Sequence, residues 1–266
     1  MRVYEIPEGS KNSKGRAIQN LINIEQDDRV KAFICTQDLK DEEYVNSNYV
    51  IMATKMGQVK KTSLEQYSRP RSNGINAITI KDGDELLEAK LTNGKSQIML
   101  AVKSGKAIRF EESKTRPMGR NASGVRGIRL NDKKDEVVGM ISVNDMDANI
   151  LVVSENGYGK RSSLEDYRLT NRGGKGVKTI SITEKTGKLV TLKSVSDNDD
   201  LMIINKSGIA IRMQVEDLRV MGRATQGVKV ISIKDGDNIA AVAKVMKDED
   251  DIEDINDIEF TGDTIN

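Results

Sequence analysis

Residues 170–195 read TNRGGKGVKTISITEKTGKLVTLKSV. Three glycines, two lysines and an arginine in a short run that includes Lys178-Thr179 suggest a phosphate cradle. The nucleotide loop, however, needs G-x-x-x-x-G-K-S/T, whose second glycine lets the backbone curl around phosphates before a helix begins. The position before Lys178-Thr179 is Val177. The residues beyond it alternate apolar with polar and are rich in Val, Ile and Thr, which is a strand pattern. A strand offers no helix N-terminus to hold a phosphate. The stretch is therefore a turn between strands, and its meaning depends on whether it recurs.

It does recur. Four segments share one plan: an apolar strand, a turn with Gly, a second strand ending in Lys or Arg, a polar link, a Gly-containing loop and two further strands. Their leading glycines are Gly57, Gly105, Gly157 and Gly208, spaced 48, 52 and 51 apart. The second glycines are Gly74, Gly124, Gly176 and Gly227, spaced 50, 52 and 51 apart. A fifth, partial copy opens the chain, with Gly15 aligned to Gly74 and no first strand. The repeats run over about 1–36, 49–92, 96–143, 148–195 and 199–245. A period of roughly fifty residues with four strand-like runs implies an all-β ring of propeller-type, four-stranded blades, about five of them in this chain. The leading glycines suit two-residue hairpins. KDGD at 81–84 and 234–237 reads as a hairpin turn, because the EF-hand ligand set is missing and strands flank it.

Composition limits the chemistry. The 266 residues contain no histidine, which removes the commonest general base and metal ligand. One cysteine, Cys35, excludes an internal disulfide and Cys-based zinc sites. Its apolar run VKAFICT predicts a small buried side chain. No catalytic residue and no metal site is expected. No stretch approaches the ~18 apolar residues of a membrane span, and the N-terminus has no signal core, so an interior, cytoplasmic location is expected. The net charge of +1 hides an asymmetry: residues 246–266 carry a net −8, leaving +9 on the rest. A basic body with an acidic, disordered tail is the pattern of a polyanion binder carrying its own competitor, and equally of a domain with a solubilising tail.

The repeats resemble the C-terminal domain of the DNA gyrase A protein, over residues 2 to about 245. The resemblance is carried by the repeated strand/Gly/basic-strand units, by MGRNASGVRGIRL and MGRATQGVKVI, and by NGYGKRSSLEDY. It implies a six-bladed β-pinwheel whose blades exchange strands and whose basic rim wraps duplex DNA. Such a domain supports ATP-dependent negative supercoiling by a type II topoisomerase. By the resemblance, the chain is a fragment lacking the first blade and part of the second. The implied partners are double-stranded DNA, the remainder of gyrase A, and gyrase B, in an A2B2 assembly on the chromosome. No cofactor is expected here; ATP and magnesium would bind elsewhere in the enzyme. The family's Q-R-R-G-G-K/R-G box belongs to the blade that is missing. The nearest run, Asn171-Arg172-Gly173-Gly174-Lys175-Gly176, is either an ordinary inter-strand loop or a second, box-like DNA contact.

Phosphate contacts spread around a curved surface suit a wrapped duplex, and basic residues recur at equivalent places. After the leading glycines stand Lys60, Lys61, Arg109, Lys160, Arg161 and Arg212. In the loops stand Arg69, Arg71, Arg116, Arg120, Arg168, Arg172, Lys175, Arg219 and Arg223. After the second glycines stand Arg126, Lys178 and Lys229. Their recurrence predicts one DNA-binding rim. Tyr67 and Tyr167 match in SLEQY and SLEDY, which predicts packing. Few aromatics argue against single-stranded binding. The alternatives are the equivalent domain of topoisomerase IV and a propeller-type protein-interaction scaffold.

Overall fold

The computed structural model describes residues 3–10, 13–22, 24, 28–71, 73–234 and 236–246; the acidic tail from 247 lies outside them. The first full repeat supplies β1 (Tyr49–Thr54), β2 (Gln58–Ser63) and β3 (Leu86–Thr92). The second supplies β4 (Gln97–Val102), β5 (Lys106–Glu111), β6 (Val125–Arg126) and β7 (Val137–Val143). The third supplies β8 (Asn149–Ser154), β9 (Tyr158–Ser163), β10 (Val177–Lys178) and β11 (Leu189–Val195). The fourth supplies β12 (Asp199–Asn205), β13 (Ala210–Gln214), β14 (Val228–Lys229) and β15 (Ile239–Met246).

Blades are built by exchange. The sheets run β3-β1-β2-β6, β10-β5-β4-β7 and β11-β8-β9-β14, so each takes its fourth, two-residue strand from the following repeat. The last sheet, β13-β12-β15, holds three strands. The named strands pair antiparallel throughout, as in Val59↔Val125, Ala107↔Val177 and Gly159↔Val228. The first strands YVIMAT, QIMLAV and NILVVS are apolar almost throughout because both their faces are covered. One core lies at each seam. Ile51, Val59, Ile98, Leu100 and Phe110 fill the first, Met99, Ile141, Val152, Leu164 and Tyr167 the second, and Leu151, Val153, Leu201, Ile203 and Val215 the third.

Three expectations change. Where residues 3–36 are described they hold two short 3-10 turns and no strand, in place of the strand-like runs of the other copies. A short helix comes next, α1 (Glu42–Ser47), capped by Asp41 accepting from the Tyr44 N–H at 3.1 Å. Cys35 is exposed rather than buried. The run keeps its strand-like alternation, but Ile34 takes the inward side against Val45, Val50 and Met52, which leaves Phe33 and Cys35 outside. The leading glycines do not sit inside two-residue hairpins. Each closes a turn as its last residue, with Gly57 N–H bonded to Thr54 O at 3.0 Å and Gly105 N–H to Val102 O at 2.9 Å. Only glycines have positive φ among the described residues. A type I′ turn would need two positive φ values before them, so these are ordinary turns ended by a left-handed glycine. At 81–84 the turn reading holds: Asp84 N–H bonds Lys81 O, and the Asp84 carboxylate accepts from the Met56 and Glu85 N–H groups, all within protein. Among the described residues no cluster of metal-ligating side chains is found, and no helix is long and apolar enough to cross a membrane.

Candidate nucleic-acid interface

The seams decide which basic residues face solvent. At each one, the second glycine of a repeat lies against the second strand of the repeat before it. A Cβ on Gly124 would stand 2.5 Å from Val59 O, on Gly176 2.5 Å from Ala107 O, and on Gly227 2.6 Å from Gly159 O. The backbone approaches so closely that only glycine fits, which explains why Gly recurs there. Gly74 has the same positive φ but nothing within 4 Å.

Two positions after the close approach, Arg126, Lys178 and Lys229 end the swapped strands and are exposed. They pair with Gln58, Lys106 and Tyr158, at the same edge of three successive sheets. Arg116, Arg168 and Arg219 form a second exposed series, each just before a residue that bridges back to the preceding blade: Pro117 to Lys61, Leu169 to Arg109 and Val220 to Arg161. Arg69, Arg71 and Lys175 are exposed as well. Arg120, Arg172 and Arg223 are half-buried and reach back across the seams. Arg172 donates to Arg126 O at 3.1 Å and Lys114 O at 2.9 Å, and Arg223 to Lys178 O at 2.9 Å. Arg120 makes the equivalent contact with Asn76 O at 3.5 Å.

The positions after the leading glycines do not belong to this surface. Lys60, Lys61, Lys160 and Arg161 are buried, and the rim assignment is corrected for all four. Their strands are covered on both faces, β9 by the blades on either side and β2 by the next blade on one face and by Ile34, α1 and Ala77 on the other, so either direction of the side chain points inward. Lys61 sits over the Tyr49 ring and 3.7 Å from the Glu112 carboxylate. The Arg161 guanidinium donates to Leu218 O and Glu216 O and pairs with Asp197. Arg109, half-buried, donates to Leu164 O at 2.9 Å and Tyr167 O at 3.0 Å. These groups cap carbonyls at the turn after the second strand of the next repeat. Arg212 is exposed but bound to Asp200 at 2.7 Å.

Lys60 and Lys160 lie under the loops. Burial, with repulsion from Arg120, pulls Lys60 down to about 8. Burial also pulls Lys160 down to about 8, with Asp166 opposing and Arg223 assisting. Tyr167 is buried with its hydroxyl 2.6 Å from Thr179 Oγ1, and the Tyr67 hydroxyl donates to Ala77 O at 3.2 Å, so both tyrosines pack. Arg129 is an exposed cation at the seam that the repeat argument did not single out; its N–H bonds Gly174 O at 2.8 Å. Its counterparts are Ser181 and Ser232, so recurrence gave no signal.

The described surface is a series of exposed cations at one sheet edge, with guanidinium groups bridging each seam and no cluster of acid, base and nucleophile. A family model described as DNA gyrase C-terminal domain, beta-propeller, matches residues 1–37, 48–93, 97–144, 148–196 and 199–246. The DNA gyrase A protein of Staphylococcus epidermidis is 43% identical over 251 residues, and that of a Staphylococcus aureus strain 44% over 253. Both alignments cover 94% of this chain and 28% of the relative, so the chain spans little more than a quarter of those proteins. Among solved structures, a DNA gyrase A C-terminal domain matches with a TM-score of 0.77 and 25% identity, over 92% of this chain and 78% of that one. The C-terminal domain of a DNA topoisomerase IV matches with a TM-score of 0.84 at 24% identity, over 97% and 79%, a likeness of fold.

Proposed function

The chain belongs to the DNA gyrase C-terminal domain, beta-propeller family, and from that premise we propose that it binds duplex DNA and wraps it along the exposed edge of its sheets. The observation that carries this reading is the exposure of Arg126, Lys178 and Lys229 at the same place on three successive swapped strands, with Arg116, Arg168 and Arg219 beside them. Cations repeated from blade to blade follow a phosphate backbone and read no bases, so binding is sequence-tolerant. Bending the duplex costs several kcal/mol, of order 1–6 for a short site, and the distributed ion contacts offset it.

In this reading the chain is the non-catalytic arm of a DNA gyrase acting in the cytoplasm on chromosomal DNA. The remainder of gyrase A, together with gyrase B, would supply strand passage, and nucleotide and magnesium would bind there. Identity above 40% to gyrase A proteins favours gyrase over topoisomerase IV. The R-G-G-K-G run at 172–176 acts as a seam loop: Gly176 makes the close approach shared by Gly124 and Gly227.

The test is the linking number of relaxed circular plasmid nicked and religated with the purified chain. The expected result is a protein-dependent shift toward positive writhe, reduced when Arg126, Lys178 and Lys229 are changed to Gln together. Binding without a shift would refute wrapping. Absence of binding at low salt would refute the DNA reading and favour a protein-interaction scaffold.

A further inference from the structure

Two of the three seams hold a buried lysine and the third holds an isoleucine in the same register: Lys60 stands opposite Met52, Ile108 opposite Leu100 and Lys160 opposite Val152. The Lys60 ammonium donates to Ala77 O at 2.5 Å and to Arg120 O. The Lys160 ammonium donates to Gly222 O at 2.6 Å and Thr225 Oγ1 at 3.1 Å. Both lysines thus hold the loop of the following repeat that reads Met-Gly-Arg, at 118–120 and 221–223. In the middle seam the loop reads Thr170-Asn171-Arg172 instead, and Gly174 stands where Thr225 stands in the last. There Ile108 lies 3.5 Å from where a Cβ on Gly174 would stand, and the Gly174 carbonyl is taken by the Arg129 N–H.

Packing alone does not account for the lysines, because Ile108 fills the same place without desolvating a charge. The loop carbonyls do account for them, since a carbonyl turned inward needs a donor. Each held loop carries an arginine, Arg120 or Arg223, with a single side-chain hydrogen bond to the preceding repeat. The guanidinium has five N–H groups, so most of its donors are available to an anion. We propose that Lys60 and Lys160 are positioning residues of the DNA-binding edge: each pins the Met-Gly-Arg loop of the next repeat and so aims Arg120 or Arg223 at a phosphate. The inference rests on the DNA reading above.

Lys160→Ile copies the arrangement at Ile108 and so keeps the fold. Two measurements on the whole 266-residue chain separate the pin from the DNA reading. Amide hydrogen exchange without DNA is expected to quicken by about tenfold or more at 222–226 and to stay unchanged in β8. Affinity for a linear duplex is expected to fall about three- to tenfold, and Lys160→Ile is expected to add little to the loss caused by Arg223→Gln. Unchanged exchange at 222–226 overturns the pin. Quickened exchange with undiminished affinity, or with losses that simply add to those of Arg223→Gln, makes Lys160 structural and overturns the positioning role. If the unsubstituted chain has no duplex affinity at low salt, the DNA reading fails and the positioning role fails with it, while the exchange data still report on the pin.

Discussion

A buried ammonium is costly, and Lys60 and Lys160 show that cost in their acidity. Each falls from 10.5 to about 8, burial being the larger cause. Arg120 adds repulsion at Lys60; at Lys160 the nearby Asp166 opposes and Arg223 assists. Below pH 8 the lysines are charged both folded and unfolded, and the full penalty of burying the charge is present. Between pH 8 and 10.5 the unfolded chain holds protons that the folded chain has released, so their contribution to stability rises with pH. Above 10.5 the penalty is gone. The unsubstituted chain is therefore expected to gain stability relative to Lys160→Ile between pH 7.5 and 10.5, by at most about 3 kcal/mol. Urea denaturation of both proteins at several pH values checks this, and the difference cancels the other lysines and tyrosines that titrate nearby. A flat difference would mean that Lys160 keeps an ordinary acidity. The burial itself was only half legible in the sequence. In QVKKTS, strand alternation places Lys60 and Lys61 on opposite faces, so one of them had to point inward. That both do is the effect of the next blade on one face and of Ile34, α1 and Ala77 on the other, which no single strand reveals. Recurrence misled for the same reason: a seam repeats from blade to blade as faithfully as a rim does, so Lys61, Arg109 and Arg161 recur because each caps the next turn.

The unit of construction is the two-residue strand lent to the preceding blade. The sequence displayed it as a glycine followed by Val-Arg or Val-Lys, which is too short to mark as a strand against the loop around it. The long strands were legible from their apolar runs, and the repeat period placed them. The exchange of strands came from the family resemblance and not from periodicity. The glycine before each lent strand is where the exchange is most exposed to substitution. Gly176→Ala must place a methyl 2.5 Å from Ala107 O at a positive φ, whereas Gly74→Ala meets the same φ restriction with nothing within 4 Å. Gly74→Ala is expected to cost about 1 kcal/mol, the backbone term alone. Gly176→Ala is expected to cost about 2–4 kcal/mol, because the seam must open. Urea midpoints of the two variants check the contrast. Equal losses would show that the seam at Gly176 is looser than its geometry implies. Among the described residues the last sheet carries the same hairpin without a lent strand: Gly208, at φ 88, has nothing within 4 Å, and Ile209 is exposed beside β13.

At the scale of the molecule, charge is distributed unevenly along the chain. Residues 246–266 carry a net −8 against +9 for the rest. Much of the positive charge is taken up within the fold: Lys60, Lys61, Lys160 and Arg161 are buried, and Arg212 is bound to Asp200. The exposed series at the sheet edges is what remains to meet a duplex. If about six phosphates are engaged, the logarithm of affinity falls with the logarithm of salt with a slope of about −5. A polyanionic tail that reaches those cations would compete for them at a high local concentration set by its tether. Deleting residues 247–266 is therefore expected to tighten duplex binding at low salt. The gain should shrink as salt rises, because screening weakens the tail's hold on the cations. Titrations of a linear duplex with the whole and shortened chains, from low to high salt, check both statements together. A tail that competes makes the slope of the whole chain shallower than that of the shortened one, since the tail's release offsets part of the counterion release from DNA. Two parallel lines would mean the tail only keeps the domain soluble, and a slope near zero for both would remove phosphate contact from the account of this surface.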